Sequence, residues 1–93
     1  MTADRLVVVN GLDFDGRRQF LNDAGAIIAR ANAPIEVDCS VLTDVDDPTI
    51  GMLVQLARNA QRRGYAVTLN APAARVLDRL AAAGVSDRFI TRA

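Results

Sequence analysis

Asp44, Asp46 and Asp47 fall within the stretch Asp44-Val45-Asp46-Asp47-Pro48, and they are the side chains of this 93-residue sequence best suited to chemistry. Carboxylates at that density can hold a divalent cation such as Mg²⁺, or one of them can accept a phosphoryl group as an aspartyl phosphate. The second chemistry wants a cation to neutralise the phosphoryl oxygens, and a lysine is the usual choice. All eleven basic residues here are Arg, and there is no Lys. The competing reading is structural: Asp47 caps a helix that begins at Pro48, while Asp44 and Asp46 are solvated turn residues. The sequence favours that second reading, and no metal or cofactor is expected.

Composition removes most other catalytic arrangements. There is no His and one Cys, so neither a Ser-His-Asp triad, a Cys-His pair nor a Cys/His zinc site can be assembled. No disulfide can form within the chain. Neither G-x-G-x-x-G nor G-x-x-x-x-G-K occurs, so the common phosphate-cradling loops are missing. An enzyme working through carboxylates alone stays open, and the expectation is a protein that is not an enzyme.

Eleven acidic residues balance the eleven basic ones, which gives no overall field to attract nucleic acid or anionic lipid. Hydrophobic residues make up 51% and charged residues 24%, an ordinary globular balance. No apolar run approaches the roughly 20 residues of a membrane span, and Met1 to Arg5 is too short and polar to begin a signal peptide. The expectation is one cytoplasmic domain covering residues 1–93.

The elements that must position the aspartates follow from hydrophobic spacing. Leu6 to Val9 reads as a strand closed by the Asn10-Gly11 turn. Asp15 is suited to cap the next helix, whose apolar positions Phe20, Leu21, Ala24, Ile27, Ile28 and Ala31 share one face. Asn32-Ala33-Pro34 should stop it. In Ile35 to Cys39 the residues alternate, with Ile35, Val37 and Cys39 on one face and Glu36 and Asp38 on the other, so one sheet face should be open or covered by a partner. A helix from Thr49 to Arg63 should place Ile50, Leu53, Val54, Ala57 and Ala60 inward and stop at Gly64. Tyr65 to Leu69 reads as a third strand. A helix opened by Pro72 should bury Val76, Leu77 and Leu80 and stop at Gly84. Val85 to Ile90 then forms a short turn or strand. Strand-helix units of this length imply parallel pairing and right-handed crossovers.

Three further features carry two readings each. Arg58, Arg62 and Arg63 form a basic patch or, the better reading, a solvated helix face. Cys39 alternates with Val37 and Ile35 and is core filler rather than a reactive thiol. Met52 and Leu56, one turn apart, lie either in a docking surface beside the acidic turn or in a wide buried stripe.

From Val37 to Gly64 the pattern resembles the STAS family of sulfate transporters and bacterial anti-sigma factor antagonists. Asp38-Cys39-Ser40 matches the end of its strand, and Asp46 the leading Asp. Gly51 and Leu53 match its helix start, and Arg63-Gly64 its helix stop. Leu77 to Leu80 with Ala83-Gly84-Val85 resembles the closing segment, so the likeness spans about Leu6 to Ile90. The resemblance implies a small α/β fold with a mixed, mostly parallel sheet of about four strands. Its helices pack mainly on one face, and the family's first strand is missing. It also implies a non-catalytic module of transcription regulation that binds a serine kinase anti-sigma factor of the GHKL ATPase type. Contact would run through residues 44–60, with Asp44, Asp46, Asp47, Thr49, Met52 and Leu56 as partner-binding residues.

The family's phosphorylatable Ser or Thr falls at Asp47, which leaves Thr49 as a displaced acceptor. One negative charge there partly imitates phosphoserine, which carries about −1.5 to −2. The alternative from the same resemblance is an accessory subunit of a lipid-transport ABC ATPase. The aspartyl-phosphate acceptor is a third reading, and a weak homodimer is compatible with all three.

Overall fold

The computed structural model describes residues 5–30 and 35–93. The chain forms β1 (Arg5–Val7), α1 (Phe14–Arg30), β2 (Ile35–Asp38), α2 (Asp47–Gln61), β3 (Val67–Asn70), α3 (Ala74–Ala82) and β4 (Ile90–Arg92), with a 3-10 turn at Ser86–Arg88. The helix stop expected at Asn32-Ala33-Pro34 lies outside the described residues.

The four strands lie in the order β1-β2-β3-β4. All three pairings are parallel, with Leu6 opposite Val37, Val37 opposite Leu69, and Thr68 opposite Ile90. The sheet is therefore less mixed than expected, because a helix makes each connection and so returns the chain in the same direction. Every crossover also steps one strand further the same way. With right-handed crossovers, that sequential order puts α1, α2 and α3 on one side.

Burial follows the same division. On the covered face Leu6, Val8, Ile35, Val37, Cys39, Val67 and Leu69 join Phe20 and Ile28 of α1, Leu53 and Leu56 of α2, and Val76 and Leu80 of α3 in one core cluster. On the other face Val7 and Ile90 are about half exposed and Glu36 and Asp38 half-buried. The exception is Thr68, which is buried on that face between its register neighbours Glu36 and Ile90.

Several boundaries differ from the sequence reading for local reasons. α1 starts at Phe14, and its cap is Asp13 rather than Asp15: the Asp13 carboxylate accepts the Gly16 N–H at 2.7 Å and its carbonyl accepts the Arg17 N–H at 2.9 Å. α3 starts two residues after Pro72, because Ala71 takes a left-handed φ of 55° before the helix can begin. The short α3 buries only Val76 and Leu80, four residues apart, and Leu77 is left exposed. Gly64 and Gly84 end α2 and its successor at φ 81° and 74°, as the sequence indicates.

α2 shows the largest difference. It packs on the sheet and along α1 at once, so it buries a stripe wide enough to take in Thr49, Ile50, Met52, Leu53, Leu56, Ala57 and Ala60. Val54, expected inward, is only half-buried.

Candidate functional site at the start of α2

The parallel strands all end at the same edge of the sheet, which brings together the loops after β1, β2 and β3 and the N-terminus of α2. Asn10, at the end of the first strand segment, ties two of those loops. Its Nδ2 donates to the Val41 carbonyl at 3.0 Å, and its Oδ1 accepts from the Thr43 N–H at 3.0 Å and the Thr43 hydroxyl at 3.2 Å. Asp38 makes a tight turn after β2 by accepting the Ser40 N–H at 2.8 Å. Val45 and Leu42 are buried beneath this segment and anchor it to the core.

Each aspartate of the turn has its own role. Asp44 accepts its neighbour Val45 N–H at 2.8 Å and faces two arginines of α3, Arg79 at 3.3 Å and Arg75 at 3.6 Å. The Val45 N–H and then the two guanidinium groups hold its carboxyl below the usual range. Asp46, not Asp47, is the N-cap of α2: its carboxylate accepts the Thr49 N–H at 2.9 Å, and its carbonyl accepts the Ile50 N–H. Thr49, through its side chain and its backbone N–H, lowers the Asp46 carboxyl. The cap sits one residue earlier than the sequence reading because Asp47 is already helical, with Pro48 behind it in the first turn. Asp47 is exposed and makes no hydrogen bond or ion pair among the described residues.

The three carboxylates are thus turned to three tasks and do not converge. No group of three or more His, Cys, Asp or Glu side chains among the described residues is placed to hold a metal ion. A cavity of about 220 Å³ opens beside Asp44 and Asp46, walled also by Asn10, Gly11, Leu42 and Arg79; Asp47 does not line it.

Three of the expected partner-binding residues are corrected. Met52 and Leu56 are 4% and 0% exposed, so they belong to the buried stripe that α2 turns toward the sheet and α1, and Met52 reaches the surface only at the floor of a groove. Thr49 is 5% exposed and its backbone N–H is held by the Asp46 carboxylate, so a kinase could not reach its hydroxyl without unwinding the helix start. Asp44, Asp46 and Asp47 remain at the surface edge. Sequence reasoning missed Asn10, Arg75 and Arg79, whose partners are 31 to 35 residues away. Only the Asn10-Gly11 turn signal pointed near one of them. Cys39 is fully buried, and burial, with Asp38 nearby, pushes its thiol up to about 11.

A model of the STAS domain, called "Mlab, STAS domain", matches residues 2–91. The chain belongs to the STAS family. Its fold is similar to that of TM1081 in solution, with a TM-score of 0.81 and 15% identity over 94% of this chain and 70% of that one. The crystal structure of TM1081, a candidate anti-sigma factor antagonist from Thermotoga maritima, gives 0.75 and 14% over 100% and 75%. The unphosphorylated anti-sigma factor antagonist SpoIIAA gives 0.75 and 17% over 97% and 81%. No curated protein sequence matches significantly. No helix among the described residues is long and apolar enough to cross a membrane.

Proposed function

We propose that this STAS domain is a non-catalytic regulatory module that binds a protein partner through the loop-and-helix edge at residues 44–51. The partner would be a serine kinase of the anti-sigma factor type. The observation that carries this reading is the placement of Asp47. It is exposed in the first turn of α2, at the position where the resemblance puts the family's phosphorylatable residue, and the loops around it are held by side-chain bonds from three segments. The free N–H groups and dipole of a helix start favour an anion there, and Asp47 supplies a permanent one. The switch is thereby fixed in its charged form, weaker than a phosphate by about one charge.

A second reading uses the same edge. The match to the Mlab-type family model favours an accessory subunit seated on the nucleotide-binding subunit of a lipid-transport ATPase. Titration of each partner class into the purified chain separates the two. A kinase-type partner should bind the Asp47→Ser variant more tightly than wild type and phosphorylate that variant alone. Binding of the ATPase subunit with no response to Asp47→Ser supports the second reading and removes the first.

A further inference from the structure

A groove of about 300 Å³ runs between the N-terminal halves of α1 and α2, beside Asp47. Phe14 stands at its mouth, and at 64% exposure it is the most exposed large apolar side chain among the described residues. The other two phenylalanines, Phe20 and Phe89, are buried, so the core does not lack room for aromatics. Leu21, Pro48 and Met52 continue the apolar lining. Gly51 forms the opposite wall, exposed in the middle of a helix that its residue type disfavours. A Cβ at Gly51 would meet nothing within 4 Å, so no packing inside the molecule calls for glycine there. Gly25 of α1 is equally open; what sets Gly51 apart is its place on the wall of an apolar groove. Glycine on a helix flank lets another backbone approach closely.

The charges around the groove narrow the occupant. Arg17 and Arg18 border it on the α1 side. Arg17 donates to the Leu12 carbonyl at 2.8 Å, whereas Arg18 is exposed and has no partner among the described residues. We infer that this groove receives an amphipathic helix of the partner protein, crossing close over Gly51, with an apolar anchor against Phe14 and acidic residues toward Arg18. Two packed helices offer a third one a groove between their ridges, and the apolar anchors would recur at three and four residue spacings. The inference rests on the docking reading above and names the kind of segment the partner presents.

The test uses the full chain, isotopically labelled for NMR, and a synthetic amphipathic helix of about 18 residues, long enough to be partly helical alone. One peptide carries leucines on one face with glutamates flanking them, and the control carries lysines instead. The glutamate peptide should shift the amide signals of Phe14, Arg18, Gly51 and Gln55 and bind at least about tenfold more tightly than the control. Gly51→Leu should weaken that binding at least about tenfold while leaving the melting temperature unchanged or higher, and Arg18→Glu should reverse the peptide preference. Equal binding of both peptides, shifts confined to the open sheet face, or no shifts would overturn the inference. If a natural partner binds Gly51→Leu as well as wild type, the groove inference fails while the docking reading stands. If no kinase or ATPase binds but the glutamate peptide does so as described, the opposite holds.

Discussion

The two ends of α2 are built by different means. At its N-terminal end Asp46 caps the helix, Asp44 is held by Arg75 and Arg79 of α3, and Asn10 ties the loop after β2 to the end of the first strand segment. Those bonds join residues far apart in sequence. At its C-terminal end the helix stops through local backbone geometry: Gly64 turns left-handed at φ 81°, and its N–H reaches the Gln61 carbonyl at 2.9 Å. Arg58 and Arg62 lie exposed there, and cations suit the negative end of the helix dipole. Arg63 reaches only the Ala29 carbonyl, at 3.4 Å. A cavity of about 600 Å³ opens at this end beside Tyr65, Gly84 and Arg88. It is larger than the space at the other end, yet its position is explained by two glycine helix stops. A helix needs only a glycine to end. The side-chain scaffolding at its start exceeds what capping requires, and that excess supports the proposed docking edge.

The largest effect should come from the core face of α2: Leu56→Ala removes a fully buried side chain and should cost about 2–5 kcal/mol. Denaturant titration reads this, and a cost under about 0.5 kcal/mol would restore Leu56 to the surface.

At the helix start, Asp46→Ala removes the cap and should cost about 1 kcal/mol near neutral pH. The carboxyl is lowered below its ordinary 3.8 in the folded chain, so its contribution is present above that value and is lost as pH falls through the folded value. Wild type and variant should therefore converge in stability once the pH falls below the folded value. A gap that persists there would show that the carboxylate charge is not what caps the helix.

At the other end, Arg58→Ser with Arg62→Ser should change stability by no more than about 0.5 kcal/mol, as exposed positions without partners do. Smallest of all, Cys39 should fail to react with a thiol reagent at pH 8 in the folded chain, because a thiol held up to about 11 has little thiolate, and should react once the chain is unfolded. Rapid labelling of folded protein would place it at the surface.

Much of the fold was legible because its signals are local. The alternation of Ile35, Val37 and Cys39 identified a sheet with one covered face, and Gly64 and Gly84 marked two helix stops. The one-residue error at the α2 cap arose because Asp46 and Asp47 are chemically the same candidate, and only backbone geometry decides between them. Met52 and Leu56 kept two readings in the sequence, and a tertiary fact decides for the buried stripe. A helix covered by a sheet alone buries one stripe, and the sequence does not reveal that α1 covers a second flank of α2. The scaffold at the candidate site was hidden for the same reason: Asn10 with Thr43, and Asp44 with Arg79, are more than 30 residues apart and have no shared periodicity. The groove containing Phe14 and Gly51 likewise exists only once α1 lies along α2.

The most direct test compares the two ends of α2 against one partner, the kinase-type protein or ATPase subunit that binds the purified chain. Calorimetric titration would be run with wild type, Asp47→Arg, and the double variant Arg58→Glu with Arg62→Glu. Reversal of the charge at Asp47 should change affinity at least about tenfold, equivalent to about 1.4 kcal/mol, while the double reversal at the far end leaves it within about twofold. An unchanged affinity for Asp47→Arg, together with loss of binding in the double variant, would place the docking surface at the wrong end of the helix and contradict the account.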